Sequence, residues 1–168
     1  MQKGQVGNYM EITRHFTATT YIVFENKVLL HFHKKLGIWV AVGGHIDRDE
    51  LPEAAAAREA KEETGLEIEL FWADKLRHLE KDELSKPFVR PLNRPVHLLL
   101  ENINDYHQHI DFIYYAKAYN DKLNPRQGET DRLSWFAKED LNKTYLQQNV
   151  KLFSLEALYL LSDSKLTY

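Results

Sequence analysis

Three glutamates stand close together in Arg58-Glu59-Ala60-Lys61-Glu62-Glu63-Thr64-Gly65-Leu66, at positions i, i+3 and i+4. On a helix turning roughly 100° per residue they share about a third of the circumference. Such a face repels itself: Glu59 opposes both Glu62 and Glu63, and the last two lie near the negative end of the helix dipole. Departures of this kind from stable helix design mark functional sites. A hard divalent cation bound by the carboxylates would reverse the repulsion, and magnesium or manganese suits oxygen donors. Arg58, one turn before Glu62, is placed to orient that carboxylate, with Glu50 at the helix entry as a further partner. The competing reading is a solvated acidic face with Arg58 and Lys61 as counter-charges. Helix geometry by itself leaves both readings open.

The elements that must carry these residues follow from the flanking pattern. Pro52 suits the first turn of a helix, Ala54 to Ala57 its interior, and Gly65 a left-handed stop, which predicts a helix over Leu51 to Thr64. Upstream, Ala18 to Phe24 and Lys27 to His33 read as a hairpin about Glu25-Asn26. Trp39 to Val42 reads as one short strand ending in Gly43-Gly44, glycines that permit close approach to a ligand. Further strands are expected at Leu66 to Phe71, Val96 to Asn102, Ile110 to Lys117 and Leu133 to Phe136. A shorter helix opens near Asp140-Leu141, and a last one spans Leu152 to Leu161 with Leu152, Leu155, Leu158 and Tyr159 as its buried stripe. The class is α+β with a mixed sheet covered by helices. The charged stretch Lys75 to Pro95, holding Pro87, Pro91 and Pro95, reads as a long loop that carries specificity.

Length and composition bound the remaining possibilities. A chain of 168 residues, 43% hydrophobic and without internal repeats, fits one domain over residues 1–168. The absence of cysteine excludes disulfides and thiolate metal sites. Lysine plus arginine number 22 and aspartate plus glutamate 25, a net charge of −3, which disfavours a general nucleic-acid partner. The apolar runs are too short to span a bilayer, and Met1-Gln2-Lys3-Gly4-Gln5 opens no signal-peptide pattern, so a cytoplasmic protein without a membrane partner is expected. A homodimer is compatible with the sequence, which does not set the oligomeric state.

The order Gly44, Glu50, Arg58-Glu59-Ala60, Glu62-Glu63, Gly65-Leu66 resembles the Nudix box at every fixed position. Val42 stands where many members have proline, and neither it nor the small Ala60 supplies a ligand. The resemblance implies an α/β/α sandwich and a pyrophosphohydrolase that cleaves a diphosphate linkage in a nucleotide or nucleoside diphosphate derivative. It implies Mg2+, with Mn2+ as a substitute, held by Glu59, Glu62, Glu63 and the carbonyl of Gly43. Water activated by the metal would attack phosphorus in line, with no covalent intermediate. The general base would be Glu62 or Glu63, or alternatively Glu129, which resembles a late metal-associated glutamate of some members. Two other readings share the fold: a non-catalytic nucleotide-binding sensor and an RNA 5′-end pyrophosphohydrolase. The isopentenyl diphosphate isomerase branch relies on a catalytic cysteine that this chain lacks.

Substrate contacts are less marked. His31 and His33 share one face of a strand, and His107, His109 and Asp111 one face of another. These faces either line a phosphate or base pocket or are polar sheet faces with satisfied histidines. His45, directly after the box glycine, is a candidate for phosphate contact, and Arg90, with Lys86 and Arg94, makes the long loop locally basic. Trp39, Tyr114 and Tyr115 offer base stacking, although strand aromatics most often pack in the core, the role expected for at least two of them.

Overall fold

The computed structural model describes residues 11–72, 91–129 and 132–162. Strand β1 (Thr13–Phe24) turns through Glu25 and Asn26 into β2 (Lys27–His33), with Phe24 paired to Lys27. Glu25 takes a positive φ of 52°, as two-residue hairpin turns require. The expected strand from Trp39 to Val42 is in fact two. Strand β3 (Ile38–Val40) pairs with β2, and β4 (Val42–His45) pairs with β1. Ala41 is where the chain leaves one partner for the other, because β1 and β2 stay paired only from Ile22 to Leu29 and then diverge.

Helix α1 (Pro52–Thr64) has its proline in the first turn and ends on Gly65, whose φ is 79° and whose N–H bonds the Lys61 carbonyl. Strand β5 (Ile68–Leu70) follows, then β6 (His97–Asn104), β7 (His107–Ala118) and β8 (Leu133–Ala137). Of the expected loop from Lys75 to Pro95, only 91–95 fall among the described residues, and they are irregular. Helices α2 (Lys138–Lys143) and α3 (Gln148–Leu161) close the order.

The strands form a mixed sheet in which β1 and β7 run parallel, from Thr13 opposite His107 to Val23 opposite Lys117, and the other pairings are antiparallel. Period-two alternation along β1 divides the core between the faces. Ala18 packs with Ala55 and Ala56 of α1, and Ile22 packs with Ala60. Tyr21 and Val23 join Phe153, Ala157 and Leu158 of α3 on the opposite face. This is the α/β/α sandwich expected. The stripe on α3 is corrected: Val150, Phe153, Ser154, Ala157, Leu158 and Leu161 are buried, whereas Leu152 and Tyr159 are exposed and Leu155 is half-buried. No helix among the described residues is long and apolar enough to cross a membrane.

Candidate active site

Arg58 of α1 reaches Glu59 and Glu62 on its own helix and Glu50 just before it. The guanidinium donates to both oxygens of Glu50, at 2.9 Å each, from Nε and Nη2. Its Nη1 donates to Glu59 Oε1 at 2.7 Å and Glu62 Oε2 at 3.2 Å, and Nη2 also reaches the His45 carbonyl at 2.9 Å. One planar cation therefore gathers three carboxylates and the end of β4, a geometry suited to the arginine fork. Hydrogen bonding to Arg58 holds the Glu50 carboxyl below its ordinary range. Lys61 is not a counter-charge of the cluster, because its Nζ bonds Glu67 Oε1 at 2.8 Å.

Glu63 occupies a different environment. Its Oε2 accepts from the Gly43 N–H at 3.1 Å, and its side chain is only 12% exposed. Burial, with smaller contributions from the charges of Glu59 and Glu129, pushes its carboxyl up to about 8. His31 Nδ1 lies 3.9 Å from Glu63 Oε1, and burial brings that imidazole down to about 4, so it is neutral at pH 7. A solvated acidic face would not bury a carboxylate in this way. The glycines explain the close packing. A Cβ on Gly44 would come within 2.4 Å of Glu59 Oε1, and one on Gly43 within 2.5 Å of the Ala18 carbonyl oxygen.

The loop before β8 is tied to the C-terminal end of α1. Asn124 and Arg126 donate their backbone N–H groups to the carbonyls of Thr64 and Glu62, both at 2.8 Å, satisfying helix-end acceptors. The Arg126 side chain then donates to Glu62 Oε1 at 2.6 Å. This brings Glu129 beside Glu63, His31 and His33 around a shallow depression. Sequence reasoning missed Arg126, since its partner is 64 residues away and nothing local signals the pairing.

A cavity of about 490 Å³ opens beside these groups, lined among others by Gly43, Gly44, Glu63, His31, His33 and His109. On its wall Asp111 Oδ1 accepts from Thr17 Oγ1 at 2.9 Å and Thr19 Oγ1 at 3.0 Å, while burial raises the Asp111 carboxyl. His45 lines the same cavity, but His33 also uses its Nδ1 to accept the Leu36 N–H. Tyr114 and Tyr115 are buried in the core, and Trp39 packs edge-on against Phe32 and Phe136. Arg90 and Lys86 lie outside the described residues.

A NUDIX domain model matches residues 13–156. The chain is similar to a Nudix-family hydrolase from Clostridium perfringens, with 41% identity, 90% of this chain and all of that one covered, and a TM-score of 0.82. It shares its fold with an ADP-ribose pyrophosphatase from Streptococcus suis, at 20% identity, TM-score 0.55 and coverage of 90% and 96% of the two chains. It also shares its fold with the NUDIX domain of Shewanella oneidensis NrtR, solved with ADP ribose, at 17% identity, TM-score 0.62 and coverage of 94% and 95%. None of the curated proteins matches. The domain model spans most of the sequence and a Nudix-family hydrolase matches at 41% identity over 90% of it, and this chain belongs to the Nudix hydrolase family.

Proposed function

We infer that the chain hydrolyses a diphosphate linkage in a nucleotide or nucleoside diphosphate derivative, with Mg2+, or Mn2+ in its place, held by Glu59, Glu62, Glu63 and the Gly43 carbonyl. The observation that carries this reading is the gathering of Glu59 and Glu62 around one nitrogen of Arg58, with Glu63 tied to Gly43 beside the cavity. The donors are hard oxygens on a rigid helix, and the space where Gly44 lacks a side chain receives the Glu59 carboxylate, so the residues fit such a cation. A cation bound there supplies neutralisation of phosphate oxygens and a lowered pKa for the attacking water.

The chain's own residues do the rest. Arg58 orients Glu50, Glu59 and Glu62 rather than touching substrate. Glu62 has each oxygen engaged by a guanidinium, from Arg58 and Arg126, which makes it a poor proton acceptor. Glu63 keeps Oε1 clear of a close partner, so it is the better general base of the two, with Glu129 across the depression as the alternative. The cavity is large enough for a nucleotide derivative. The ADP-ribose names of two structural neighbours support that substrate class.

The test is phosphate release, with and without a coupled phosphatase, from nucleoside triphosphates, nucleotide sugars, ADP-ribose, dinucleoside polyphosphates and capped RNA, each with Mg2+ and a chelator control. Chelator-sensitive turnover of one class is expected, falling at least about a hundredfold in Glu62→Gln and Glu63→Gln while the fold persists. Wild-type rates in both variants would overturn the assignment of these residues. Tight binding without turnover across the panel would make the chain a binding module.

A further inference from the structure

Four histidines from three strands meet beside the carboxylate cluster: His15 of β1, His45 at the end of β4, which fills a variable position of the box, and His107 and His109 of β7. Register brings them together. His15 pairs with His109 across the parallel β1–β7 ladder, His107 precedes His109 by one strand period, and His45 faces Thr17, one period beyond His15. We propose that His15, His45, His107 and His109 form a second metal site, one that takes a borderline transition ion of the Zn2+ class.

The geometry suits such an ion. One ring nitrogen from each histidine falls within 4.8 Å of the other three, and His107 Nε2 and His109 Nε2 are 2.9 Å apart. Tetrahedral zinc with bonds of about 2.0–2.1 Å sets its ligand nitrogens roughly 3.4 Å apart. Closing onto an ion therefore needs ring rotations rather than backbone movement. Edge-to-face contacts already converge the rings, with centroids 4.7 Å apart for His15 and His107, 4.8 Å for His107 and His109, and 4.9 Å for His45 and His109.

Donor chemistry separates this site from the carboxylate cluster. Four neutral imidazoles favour zinc, copper, nickel or cobalt, whereas the glutamate oxygens favour magnesium. Protonated, the four rings would repel one another, and burial together with the neighbouring His45, His107 and His15 lowers the His109 pKa. The two sites are linked through one residue, since His45 presents its ring to the cluster and its carbonyl to Arg58. His45 and His109 also line the cavity, so an ion here sits at the cavity wall and fastens β1, β4 and β7 at one end.

The experiment uses the full chain without an affinity tag, stripped with chelator, desalted and titrated with Zn2+ or Co2+ in excess Mg2+. One equivalent of Zn2+ is expected to survive the Mg2+, and one equivalent of Co2+ to give the intense visible absorption of a tetrahedral ion. Both are lost in His15→Ala and in His107→Ala, with folding checked by circular dichroism, and both are retained in Glu59→Gln. His15 is exposed, so its variant serves even where loss of His107 disturbs β7. Absence of stoichiometric uptake, or uptake that survives in a folded His15→Ala and disappears in Glu59→Gln, overturns the proposal.

Discussion

At the residue scale, two adjacent glycines have different reasons to be glycine. Beyond Gly44 stands the mobile end of Glu59; beyond Gly43 stands the backbone of Ala18 and Thr19. Gly44→Ala should therefore displace the Glu59 carboxylate and lower turnover by about a hundredfold with little change in melting temperature. Gly43→Ala should instead destabilise the fold by about 1–3 kcal/mol. Melting curves and kcat from the same preparations distinguish the two, and an equal loss of stability in both would contradict this division. Glu50 gives a pH signature. Arg58 lowers its pKa in the folded state, so the pair stabilises the protein above the ordinary carboxylate range, and that contribution is lost as pH falls through the folded value. Glu50→Gln should cost about 1–2 kcal/mol at neutral pH, with the gap to wild type closing in acid, as read by urea unfolding at several pH values. Arg58 was legible in the sequence because its partners sit one helical turn away or at the helix entry. His15 was not, since only the parallel pairing with β7, some ninety residues on, gives it company.

At the element scale, α1 approaches the sheet closely because Ala55, Ala56 and Ala60, all fully buried, form its inner face. That closeness sets Glu63 at the edge of the cavity; the alanine run made the helix readable in advance, though not its approach to the sheet. The split at Ala41 was not readable, because an apolar run of this length says nothing about which strand it pairs with. The stripe on α3 was misplaced for a related reason: Leu152 and Tyr159 have the right spacing, but Val150, Phe153 and Ala157 share a neighbouring stripe that the sheet covers instead. A polar clasp fixes that helix. Tyr115 of β7 donates its hydroxyl to Glu156 Oε2 at 2.8 Å, and His97 of β6 lies 2.7 Å from the same oxygen. Tyr115→Phe removes one bond and should cost about 1 kcal/mol, a fall of about 2–4 °C in melting temperature. Metal-dependent turnover should stay at the wild-type level, since the clasp lies on α3 rather than on the helix that carries the box.

At the scale of the whole molecule, the cavity exists because β1 and β2 begin as a hairpin and then separate, with β3 following one and β4 the other. Strand identity predicted a mixed sheet; only the long-range β1–β7 pairing, which loop closure and not local propensity decides, completed its shape. The resulting site holds Glu50, Glu59, Glu62, Glu63 and Glu129 against Arg58 and Arg126, an acidic balance that repels a phosphorylated ligand. The proposed divalent cation would reverse that sign, and because it would bind only the folded arrangement of α1 and β4 it would also stabilise the fold. At about 100 times its dissociation constant, Mg2+ should add about 2.7 kcal/mol. For a chain of this length that is a rise of about 5–10 °C in melting temperature, reversed by chelator. Glu59→Gln and Glu62→Gln should flatten the response, whereas Tyr115→Phe should lower the starting temperature and leave the Mg2+ increment intact. A melting temperature indifferent to Mg2+ in the wild type would mean that the carboxylates of α1 do not form the cation site, whatever activity the chain displays.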